Sequence, residues 1–91
     1  MSFTNDITSV IVDDLNDVDY VGMPYPMIVI YKHPNDYPEH YVARVWCLGQ
    51  PTQYVALSKS VESLRKQIPE GFTVTPKHED DDPVILETYI R

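Results

Sequence analysis

Carboxylates dominate the polar chemistry of this chain. Glu79, Asp80, Asp81 and Asp82 stand consecutively in "HEDDDP", and Asp13, Asp14, Asp17 and Asp19 crowd a short stretch near the start. Such groups can bind a cation, share a proton in acid–base work, or present charge to a basic partner. A calcium loop needs oxygen ligands at alternating positions, glycine sixth and glutamate twelfth. Counting from Asp17 gives Asp17, Asp19 and Gly22, but Val21 takes the fifth place and Ile28 the twelfth, so the motif fails. Glu79–Asp82 has charge without ligand spacing. His33, His40, His78 and Cys47 lack the paired spacing of a zinc site. Cys47, between Trp46 and Leu48, reads as a small packed hydrophobe rather than an activated thiol. The glycines are isolated, so no phosphate-binding loop is present. Neither catalytic residues, a metal nor a cofactor is expected.

What remains is electrostatic. The net charge of −7 is unevenly spread: residues 1–23 hold five acids and no base, residues 24–75 five bases and four acids, and residues 76–91 two bases and five acids. A segregated field points to a patch if the two ends meet in space. Carboxylates at loop or helix spacing can replace phosphates and draw the Lys and Arg of a nucleic-acid-binding protein. Direct binding to DNA or RNA would need clustered bases instead, and is not expected. The bland alternative is a solvated loop stiffened by Pro83.

At 91 residues with 43% hydrophobic content, the chain is long enough for one modest core. One cysteine leaves no intrachain disulfide, which suits a reducing cytoplasm. No signal peptide or membrane span is expected, the longest apolar run being Met27–Tyr31.

The elements that would carry these side chains follow from periodicity. Ile7, Val10, Ile11, Leu15 and Val18 recur at helical spacing, predicting a helix over roughly 5–17; the β-branched run Val10–Val12 opposes it, with a strand at 8–12 as the alternative. After the break at Gly22–Pro26, Met27–Lys32 reads as a central strand, the turn residues 33–38 as a hairpin loop, and Glu39–Cys47 as its partner. A third strand over Thr52–Leu57, a short helix with Val61, Leu64 and Ile68 buried, a brief strand over Phe72–Thr75 and a last strand over Val84–Ile90 complete the chain. On the last strand Val84, Leu86, Thr88 and Ile90 should share one face. The expectation is an α+β fold: a mostly antiparallel sheet of about 4–5 strands with one short helix on one face, in the order (α)βββαββ. Residues 1–23 form an acidic arm or helix and 24–91 the domain. One short helix cannot cover such a sheet, so the N-terminal segment or a partner should cover the other face.

The segments "GMPYPMIVIYKHPNDYPEHYVARVW", "VESLRKQIPEGF" and "DDDPVILETYI" resemble small proteins carried by phages and conjugative elements of Firmicutes, over about residues 20–91. The element order also resembles that of HicB-type antitoxins, although "WCLGQP" stands where their glycine-rich segment would fall. The resemblance implies a bacterial host cytoplasm and no catalytic residues. By analogy of lifestyle and charge with anti-CRISPR inhibitors, the expected function is that of a non-enzymatic inhibitor. It would occupy the basic groove of a nucleic-acid-handling host protein such as a Cas nuclease, through Glu79, Asp80, Asp81, Asp82, Asp13, Asp14, Asp17 and Asp19. The rival expectation is an antitoxin or accessory module that dimerises or binds a toxin through its sheet.

Overall fold

A computed structural model describes residues 10–75 and 83–91. Its strands are β1 (Val10–Ile11), β2 (Pro26–Lys32), β3 (Tyr41–Cys47), β4 (Gln50–Ser58), β5 (Thr73–Thr75) and β6 (Ile85–Ile90), with one helix, α1 (Val61–Lys66), and a 3-10 turn at Leu15–Asp17. All six strands join one sheet, ordered β1-β4-β3-β2-β6-β5.

The architecture is α+β, and two details of the expected sheet are corrected. It has six strands rather than four or five, and it is mixed: β1 runs parallel to β4, pairing Val10 with Tyr54 and Ile11 with Val55, while the other pairings are antiparallel. The extra strand comes from the stretch expected to be helical. The β-branched Val10 and Ile11 gain more by pairing with β4 than from a helix that restricts their χ1. Residues 5–9 of the expected helix lie outside the described residues. The apolar run of β2 is central as expected, flanked by β3 and β6.

Pleating sorts the strand residues onto two faces. On one, Ile28, Ile30, Ala43, Val45 and Ala56 pack with Leu64 of α1 and with Leu15, Val18 and Tyr20. The segment leading from β1 to β2 therefore lies on the same side as the helix, so residues 12–25 are not a cover for the opposite face, one of the alternatives that the sequence left open. That opposite face carries the buried Val29, Val42 and Val55 among Tyr31, Arg44 and Trp46, and Trp46 Nε1 donates to Tyr31 Oη at 3.1 Å across it. No described helix lies over it.

The expected alternation along β6 also breaks. Thr88 and Ile90 pair with Val29 and Met27, but the register shifts between Ile30 and Tyr31, and Leu86 packs with the helix-side core. A bulge adds one residue and so exchanges the faces of everything beyond it.

Candidate functional site

Between β1 and β2, three apolar residues of the crossing segment point in while most of its acids point out. Leu15, Val18 and Tyr20 are buried, whereas Asp13, Asp17 and Asp19 are exposed. Polar bonds tie the segment to the end of α1. Leu15 N donates to Gln67 Oε1 at 3.1 Å and Asn16 Nδ2 to the Gln67 carbonyl at 3.1 Å. Tyr20 Oη donates to the Leu15 carbonyl at 2.8 Å, and burial pushes its hydroxyl up to about 12. The aspartates thus form a ridge mounted on buried anchors.

The four acids of the ridge are not equivalent. Asp14 is the N-cap of the 3-10 turn, its Oδ1 accepting from Asn16 N at 2.9 Å and Nδ2 at 3.0 Å. Those bonds, the backbone one first, hold its carboxyl below the usual carboxylate range. Asp19 Oδ1 accepts from Val21 N at 3.0 Å and closes a local turn. Among the described residues Asp13 and Asp17 have no such bond, and no lysine or arginine pairs with any of the four. Glu79, Asp80, Asp81 and Asp82 lie outside the described residues. Thr75 and Pro83, which flank that stretch, sit at the end of β5 and just before β6.

On the exposed side of α1, Glu62 pairs with Arg65 at 2.5 Å, and the contact extends further. Arg65 also grips Glu87 of β6 with two nitrogens, at 2.9 and 3.2 Å, and Tyr89 Oη donates to the same carboxylate. Burial alone would raise the Glu87 carboxyl; the bonds from Arg65 and Tyr89, with the Arg65 charge, outweigh it and hold the group low. Burial first, then the bond to Glu87, pushes Tyr89 up to about 12. The network clamps α1 to the sheet.

Sequence reasoning missed a second surface at the end of the sheet where β2 begins and β3 and β6 end. Tyr25, Pro26, Met27, Ile90 and Arg91 line a shallow cleft of about 230 Å³. Beside it, the β3–β4 hairpin turns through Leu48 and Gly49, both with positive φ. Leucine in "CLGQ" carries no residue-type signal for function; only its backbone geometry marks it.

No family model, curated protein or solved structure matches the chain. Among the described residues no helix is long and apolar enough to cross a membrane.

Proposed function

We propose that this protein is a non-enzymatic binding module whose acidic ridge occupies a basic surface of another protein. In its most concrete form it is an inhibitor, of the anti-CRISPR type, seated in the nucleic-acid groove of a bacterial host protein. One observation carries this: Asp13, Asp14, Asp17 and Asp19 are held outward by the buried Leu15, Val18 and Tyr20, with no neutralising lysine or arginine among the described residues. A mobile acidic tail would lose ordering entropy on binding; a ridge fixed to the core has already lost it, and can offer its charges in a set arrangement as phosphates do. The acids of Glu79–Asp82 add to the total charge that such a groove would meet.

Capture from a bacterial lysate at low and high salt tests it. Wild-type protein should retain a basic, nucleic-acid-binding partner at about 50 mM salt and release it near 500 mM, as screening shortens the Debye length. The combined variant Asp13→Asn, Asp17→Asn, Asp19→Asn should lose it at both concentrations. Retention by that variant, or a partner held equally at both salts, contradicts the proposal.

A further inference from the structure

We draw no further inference here: the strongest candidate, the sheet face opposite α1 that carries Val29, Val42 and Val55 among Tyr31, Arg44 and Trp46, carries none because nothing among the described residues shows what covers it.

Discussion

At the scale of single residues, the acidic ridge separates acids that hold structure from acids with no bond to another described residue. Asp14 caps the 3-10 turn and Asp19 closes a turn, so Asp14→Ala should lower the melting temperature by about 2–6 °C, whereas Asp13→Asn and Asp17→Asn should leave it within about 2 °C. Differential scanning calorimetry distinguishes them. The Glu87 clamp adds a pH dependence. Its carboxyl is held below the ordinary value of 4.5, so its contribution is fully present above that value and is lost as pH falls through the folded-state value. Glu87→Gln should therefore melt about 2–6 °C below wild type at neutral pH, with the gap closing toward pH 3. Tyr89, raised from 10 to about 12, works in the opposite sense: its contribution is present below pH 10 and lost as pH rises toward 12. A gap that stays constant from neutral to acid pH would refute the clamp's electrostatic part.

At the scale of elements, the ridge depends on its anchors. Leu15 and Leu64 are both fully buried, one under the crossing segment and one under α1. Leu15→Ala should cost about 2–5 kcal/mol, comparable with Leu64→Ala, because each leaves a cavity in the same core. If Leu15→Ala proves neutral to chemical denaturation, the segment is not anchored as described. Strands β2, β3, β4 and β6, and helix α1, were legible from the sequence to within a few residues, because their apolar periods and proline or glycine boundaries are strong local signals. The fate of the N-terminal stretch was not. Ile7, Val10, Ile11, Leu15 and Val18 fit a helical stripe, but a two-residue parallel strand gains its stability from β4, far along the chain, and nothing local announces it. The bulge in β6 was hidden for the same reason, since register belongs to the pair of strands and not to either one.

At the scale of the whole molecule, one face of a six-stranded sheet carries both α1 and the crossing segment, and the acids of that segment face outward from it. The sequence revealed how unevenly charge is distributed along the chain, but not that buried residues would fix the aspartates in place. That is a property of packing, visible only once Leu15, Val18 and Tyr20 are seen beneath them. Charges presented this way should govern the rate of encounter more than the lifetime of a complex, since exposed acids steer a basic partner from a distance while packed contacts set its release. The decisive measurement is the association rate constant of the purified protein with its captured partner, by stopped-flow, across a salt series. The rate constant should fall at least about tenfold between 50 and 500 mM salt, and Asp13→Asn, Asp17→Asn, Asp19→Asn should flatten that dependence with little change in dissociation. A rate constant indifferent to salt, or one that the triple variant leaves unchanged, would contradict a role for the ridge.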